Sequence, residues 1–351
     1  MHQPNSVRTQ PRDFNGPASA LDDASILITG GTGSFGRAMV KRLLEGSKSK
    51  RIAVFSRDEL KQYEMEQDLR EAGHEMKRVR FFLGDVRDAQ RLEMAMSGVD
   101  TVIHAAALKQ VPAAEYNPFE CIHTNVWGAE NVVRAAIRTD VKQVIALSTD
   151  KASAPINLYG ASKLAADKIF IAANNLSGLK GCKFSVVRYG NVMGSRGSVV
   201  PFYRRLLQNG ADRLPITDER MTRFWITLQQ GVSFVLSCFP IMQGGELFVP
   251  KIPSVKIVDL AEAMAPGVPH ENVGIRPGEK LHESMITEDD ARGTVELDDR
   301  YVLLPPAFPF WREERYASYG DRFVEEFFRY SSETNTEWLD TDDIRGWLEL
   351  P

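Results

Sequence analysis

Cysteine, paired histidines, basic blocks and long apolar runs are all scarce in this chain, and each scarcity removes a class of protein. Only three cysteines occur in 351 residues, Cys121, Cys182 and Cys238, widely spaced and odd in number. That fits reduced thiols in a cytoplasm better than a disulfide framework. The six histidines include no His-x-x-x-His pair, and Cys-x-x-Cys is missing, so no metal site is expected. No apolar run approaches the ~20 residues that a membrane-spanning helix needs. The first residues, 1–24, lack the apolar centre of a secretory signal and read as a flexible polar tail. Lys and Arg total 43 against 47 Asp and Glu, a formal net charge of -4 with no basic block. Neither a nucleic-acid surface nor an anionic membrane is a natural partner for such a chain.

What is present is a rhythm. With 43% hydrophobic residues the chain has ample core. From Ser25 onward, short apolar runs alternate with longer amphipathic ones. Ile26-Leu27-Ile28, Ile52 to Phe55, Val79 to Leu83, Thr101 to Ile103, Gln143 to Leu147 and Phe184 to Val187 read as strands. Helical spacing covers Arg37 to Leu44, about Asp58 to Ala72, and Pro118 to Arg138, where Val126, Ala129, Val132, Val133 and Ala136 share one side. Near-continuous apolar strands separated by helices predict an α/β fold, a Rossmann-like doubly wound parallel sheet. After Gly190 prolines and glycines break the rhythm. Residues 25–190 are expected to form the dinucleotide domain, with 225–250 returning to it as a helix and its last strand. Residues 191–224 and 251–351 are expected to form a smaller α/β substrate lobe. His104, at a strand end, reads as a packed residue.

The first strand runs into Thr29-Gly30-Gly31-Thr32-Gly33-Ser34-Phe35-Gly36. Glycines at 30, 33 and 36 permit a tight turn, close approach to a pyrophosphate and close helix packing. The N–H groups that open the following helix then face phosphate. At the end of the second strand, an acidic residue would select NAD. Here the strand ends Ser56-Arg57, followed by Asp58, Glu59, Leu60 and Lys61, and the cations favour the 2′-phosphate of NADP. Asp85 and Val86 are expected beside the adenine, Ala105 and Ala106 beneath the cofactor, and Lys109 near phosphate or ribose.

After the fifth strand comes Ser148-Thr149-Asp150-Lys151, then Tyr159-Gly160-Ala161-Ser162-Lys163. Tyr159 and Lys163, four apart, share a helix face. The ammonium is expected to favour the phenolate, with Lys163 also holding the nicotinamide ribose. Tyr159 then serves as base toward a sugar hydroxyl while Thr149 donates to the same oxygen. Asp150 and Lys151 exceed what simple oxidation requires. Beside a newly formed C4 ketone, the C5 hydrogen is acidic. A neutral Lys151 could remove it, and a protonated Asp150 could help expel the C6 hydroxyl as water.

These segments, together with Ala105 to Lys109, Arg188-Tyr189-Gly190-Asn191-Val192 and Arg276-Pro277-Gly278-Glu279-Lys280-Leu281-His282-Glu283, resemble the extended short-chain dehydrogenase/reductase superfamily. Within it, the chain is similar to the inverting UDP-N-acetylglucosamine 4,6-dehydratases that open the pseudaminic acid pathway. Related dehydratases commonly carry Thr-Asp-Glu where this chain has Thr149-Asp150-Lys151. The resemblance implies Lys151 as the C5 base, a redox-neutral cycle on NADP, and a homo-oligomer, a dimer or higher up to a hexamer. It also implies a role in surface-glycan or flagellin sugar supply.

A UDP-sugar substrate calls for planar, permanently charged donors to its diphosphate. Arg196, Arg223 and Arg276 lie in loops framed by glycine or proline and are expected to supply them. Asn191 is expected on the phosphates or sugar, Ser198 and Val199 near the nucleotide, and Glu279 on a ribose hydroxyl; Lys109, Lys151 and Tyr159 also belong to the substrate site. Phe202, Phe224 and Trp225 read as core or wall. A C4 epimerase, a retaining dehydratase and a non-catalytic NADP sensor remain as alternatives. Asp150-Lys151 disfavour the first, and Tyr159 with Lys163 disfavour the last.

Overall fold

The computed structural model describes residues 10–178, 181–305 and 316–350. Its centre is a nine-stranded sheet. Six strands come from the regular first half: β1 (Ser25–Thr29), β2 (Arg51–Ser56), β3 (Val79–Leu83), β4 (Thr101–His104), β5 (Gln143–Thr149) and β6 (Lys183–Tyr189). All their pairings are parallel, and β1 lies between β2 and β4. Ile26, Leu27 and Ile28 are fully buried, as are Ile52, Ala53 and Val54. This is the burial on both faces that continuous apolar strands demand.

The helices between them are α1 (Ser34–Gly46), α2 (Glu59–Glu71), α3 (Ala89–Met96), α4 (Val111–Tyr116), α5 (Pro118–Ile122), α6 (Gly128–Arg138) and α7 (Leu158–Ser177). Asp58 and Asp88 cap α2 and α3 by accepting from the backbone N–H groups of Lys61 and Arg91. The predicted helix from Pro118 to Arg138 is continuous but changes pitch, with a π-helical turn over His123–Trp127 between α5 and α6. The Asn125 side chain inserts there, bonding both the N–H and the carbonyl of Leu108.

Two expectations need correction. The polar tail does not extend to Ala24: Phe14, Ala18 and Leu21 are buried in the main core, and the Phe14 ring meets Phe234 edge-on at 4.9 Å. Residues 1–9 lie outside the described residues. Nor does the sheet end with the returning strand Leu247–Pro250. Arg300–Leu303 pairs with it antiparallel, and Thr294–Glu296 pairs antiparallel with Arg300–Leu303. Residues assigned to the substrate lobe therefore complete the main sheet.

The smaller lobe is held by short pairings. Thr222–Ile226 lies between Asn191–Val192 and Ser254–Lys256, and Ser284–Ile286 pairs with Tyr330–Ser331. Its own cores gather around Trp225 and around Tyr203 with Ile216. Trp225 and Phe224 are core and Phe202, partly buried, is a wall of the cleft between the lobes, as expected.

Candidate active site

A chamber of about 1280 Å³ runs from the glycine loop, past the ends of β4 and β5, to the smaller lobe. At one end lie Gly30, Thr32, Gly33, Ser34, Phe35 and Gly36. Gly30 has φ +65°, and a Cβ there would sit 2.8 Å from the Ala106 backbone; at Gly36 it would meet the Gly31 carbonyl oxygen at 2.4 Å. The loop is thus bare backbone pressed against β4 and α1. Such a cradle fits a dinucleotide pyrophosphate, and the amides that open α1 face it.

Further along the rim, Ser56, Arg57, Asp58, Lys61, Asp85 and Val86 line the chamber, but Glu59 and Leu60 do not. They open α2 outside it, and the Leu60 side chain is largely exposed. Lys61 Nζ is engaged by Asp58 Oδ2 at 2.6 Å. Asp85 is gripped by Arg87 at 2.7 Å, while Arg57 reaches it only at 3.5 Å. Among the predicted cations of this rim, Arg57 is the least committed.

In the middle of the chamber stand Thr149, Lys151, Tyr159, Lys163 and Asn191, brought together from β5, α7 and the start of the smaller lobe. Asn157 fixes the start of α7: its Oδ1 accepts from Gly160 N at 2.7 Å and its Nδ2 donates to Gly278 O at 2.7 Å. Lys280 Nζ donates to Ser153 O at 2.7 Å. The 276–283 segment is thereby pinned to the turn that carries Asp150 and Lys151.

Lys151 Nζ lies 3.0 Å from Asp150 Oδ1, 3.3 Å from Glu283 Oε1 and 3.3 Å from Asn191 Oδ1. Burial opposes its charge, but the two carboxylates outweigh burial and hold the ammonium above the usual lysine range. The resting amine is therefore charged, not neutral as the sequence led us to expect. Asp150 is fully buried behind it, accepting from Thr149 Oγ1 at 2.9 Å.

Burial pushes the Tyr159 phenol up to about 12; the charge of Lys151 and a hydrogen bond from Thr149 act against it. The expected influence of Lys163 gives way to that of Lys151. Lys163 Nζ donates to Leu147 O at 2.7 Å, and its affinity for a proton is lowered by burial. Lys109 lines the same chamber, lowered by desolvation and by the charge of Lys151. His104 is buried beneath, Nδ1 2.8 Å from Thr29 Oγ1, as a packed residue.

At the far end, Arg196, Ser198, Val199, Arg276 and Glu279 line the chamber. Ser198 precedes α8 (Val199–Gln208). Arg196 is exposed, and its backbone N–H approaches Ser34 Oγ at 3.5 Å, so the two ends nearly touch. Arg276 is exposed and 3.7 Å from Glu279. Arg223 lines the chamber as well, but its guanidinium is already engaged. It is buried, its guanidinium donates to the carbonyls of Thr222, Leu281 and Lys280, and its Nε faces Glu283 at 3.9 Å. It braces the loop instead of presenting a free fork to phosphate. Glu283, 2% exposed, is the residue whose part the sequence did not disclose.

Residues 26–305 match the polysaccharide biosynthesis protein family. A UDP-N-acetylglucosamine 4,6-dehydratase (inverting) from Campylobacter jejuni is 54% identical over 324 residues, covering 91% of this chain and 96% of its own. The chain belongs to the family of inverting UDP-N-acetylglucosamine 4,6-dehydratases. A UDP-glucose 4-epimerase from Rickettsia canadensis is 40% identical, covering 93% of this chain and 95% of its own. The solved structure of Pen from Bacillus thuringiensis superposes with a TM-score of 0.82 at 34% identity, covering 93% of this chain and 98% of that one.

Proposed function

We propose that this protein is a C5-inverting UDP-N-acetylglucosamine 4,6-dehydratase using NADP. The observation that carries this reading is Lys151, held between two buried carboxylates in the same chamber as Tyr159. An oxidoreductase or epimerase acting at C4 alone has no use for that group. Bound at the glycine loop, the nicotinamide supplies hydride exchange with the hexose. The chain's own residues handle the protons. Tyr159 takes the O4 proton as the phenolate, the form that the charge of Lys151 and the hydrogen bond from Thr149 favour against burial, and Lys163 orients the ribose. Lys151 removes the C5 proton, and Asp150 delivers the proton with which the C6 oxygen leaves. Of the two protons taken from O4 and C5, one departs in water and the other returns to C5 from the opposite face. The product is UDP-2-acetamido-2,6-dideoxy-β-L-arabino-hex-4-ulose.

Ser56 and Arg57 are assigned to the 2′-phosphate, and Arg196, Arg276, Ser198 and Val199 to the nucleotide diphosphate. Asn191 and Lys109 are assigned to the sugar side, and Glu279 to the ribose. Among the described residues no helix is long and apolar enough to cross a membrane. A cytoplasmic homo-oligomer feeding pseudaminic acid and flagellin glycosylation is consistent with this reading. The test is product identity: incubation with UDP-N-acetylglucosamine and NADP in D2O, followed by NMR. A 4-keto-6-deoxy product with inverted, deuterated C5 is expected. UDP-N-acetylgalactosamine would show an epimerase instead, and retained C5 configuration would refute inversion.

A further inference from the structure

The three acceptors around Lys151 Nζ match the three N–H groups of an ammonium; a neutral amine has two and a lone pair. Glu283 contributes one of these acceptors from a rigid mount. Its N–H donates to Ser332 Oγ at 3.0 Å, and its carbonyl accepts from Ser332 N at 2.8 Å. Its Oε1 serves Lys151, while Oε2 is buried with no hydrogen-bond partner among the described residues, as is Asp150 Oδ2. Unpartnered buried carboxylate oxygens are costly, and a site built for stability alone would favour apolar packing here.

We propose that Glu283 is a positioning residue for the elimination: its carboxylate sets the proton affinity and the aim of Lys151. This rests on the reading of Lys151 as the C5 base. One proton passes from Lys151 Nζ to Asp150, creating the neutral amine and the carboxylic acid together. Lys151 then takes the C5 proton. The electrons of that bond form the C5–C6 double bond as the C6–O bond breaks, and the Asp150 proton leaves with the oxygen as water. Lys151 is again an ammonium and Asp150 a carboxylate, while Glu283 keeps its charge throughout and holds the cation it faces. Arg223 faces Glu283 at 3.9 Å. Lys109, Lys280 and Tyr159 are the other titratable groups that act on or feel Lys151. The His282–Glu333 pair and Arg329 stand behind the loop.

The test compares pH profiles of kcat/KM for the cofactor-loaded protein with UDP-N-acetylglucosamine, alongside C5 hydrogen exchange in D2O. Glu283→Gln keeps the shape and removes the charge. UDP affinity by calorimetry and thermal unfolding should stay near the parent's, while turnover and C5 exchange fall roughly tenfold. The acid limb should move down by about one pH unit, because removing a negative charge beside the Lys151–Asp150 pair makes the pair harder to over-protonate. Glu283→Asp, with its charge withdrawn by one methylene, should give a limb between the two. A Glu283→Gln limb superposable on the parent's, with losses only in KM or thermal stability, overturns the proposal. Should Glu283→Gln not fold, a parental limb in Glu283→Asp overturns it. Lys151→Met separates the two levels. Full turnover in that variant removes the base assignment itself, whereas an inactive Lys151→Met with an unmoved Glu283→Gln limb removes only the role of Glu283.

Discussion

Arg57 and His104 illustrate how differently two side chains at strand ends can be used. Lys61 is spent on Asp58, and Arg87 on Asp85, which leaves Arg57, 3.5 Å from Asp85, the least committed cation of the rim and the one proposed for a 2′-phosphate. Arg57→Asp should weaken NADP binding about tenfold or more, the worth of a charge-assisted hydrogen bond, and leave NAD binding nearly unchanged. Fluorescence titration with both dinucleotides measures this, and equal losses would remove the contact. His104 has no such freedom. Burial, then the charge of Lys163, lowers its pKa from 6.5 to about 3. Folding therefore requires the neutral imidazole. Its contribution is complete above about pH 6.5 and is lost as pH falls toward 3, at about 1.4 kcal/mol per pH unit. Urea unfolding between about pH 6 and pH 4 should thus show a shallower acid slope in His104→Gln than in the parent, and identical slopes would exclude His104 as the source.

At the scale of elements, Asn157 joins helix and loop. It caps α7 through Oδ1 and holds the 276–283 segment through Nδ2. Asn157→Ala should cost about 1 kcal/mol of stability as a lost cap and raise the KM for UDP-N-acetylglucosamine, because the loop bearing Arg276 and Glu279 loses its tether. A stability loss with unchanged KM would separate those two duties. The strands β1 to β6 were legible because continuous apolar runs between amphipathic segments admit few other structures. Tyr159 and Lys163 were legible because helical spacing fixes their common face. Glu283 was not: it lies far from Lys151 in sequence, in the other lobe, and their meeting arises only from tertiary packing. The same holds for Arg223, which was expected to donate to the diphosphate but whose guanidinium faces backbone carbonyls. The charge of Lys151 was misjudged for the same reason, since one of its two carboxylates was invisible in the local motif.

Across the whole molecule, the N-terminal segment binds parts that sequence separates. Phe14 packs on Phe234, Gly16 N donates to Ser233 Oγ at 3.1 Å, and Arg12 pairs with Glu337 near the other end of the chain. A lone aromatic in a polar run gave no periodic signal, which is why the tail seemed unattached. Phe14→Ala should destabilise the fold by about 3–5 kcal/mol, the range for emptying a buried aromatic site. Chemical denaturation measures this, and a change below about 1 kcal/mol would mean the segment is merely laid on the surface.

The antiparallel pair Thr294–Glu296 and Arg300–Leu303 has a consequence for synthesis on the ribosome. Leu247–Pro250 is made long before its outer neighbour, so the nascent chain carries an open, apolar sheet margin while residues 251–299 are still being added. Such a margin invites pairing with other chains. The growing polypeptide must shield it until residues 294–303 arrive.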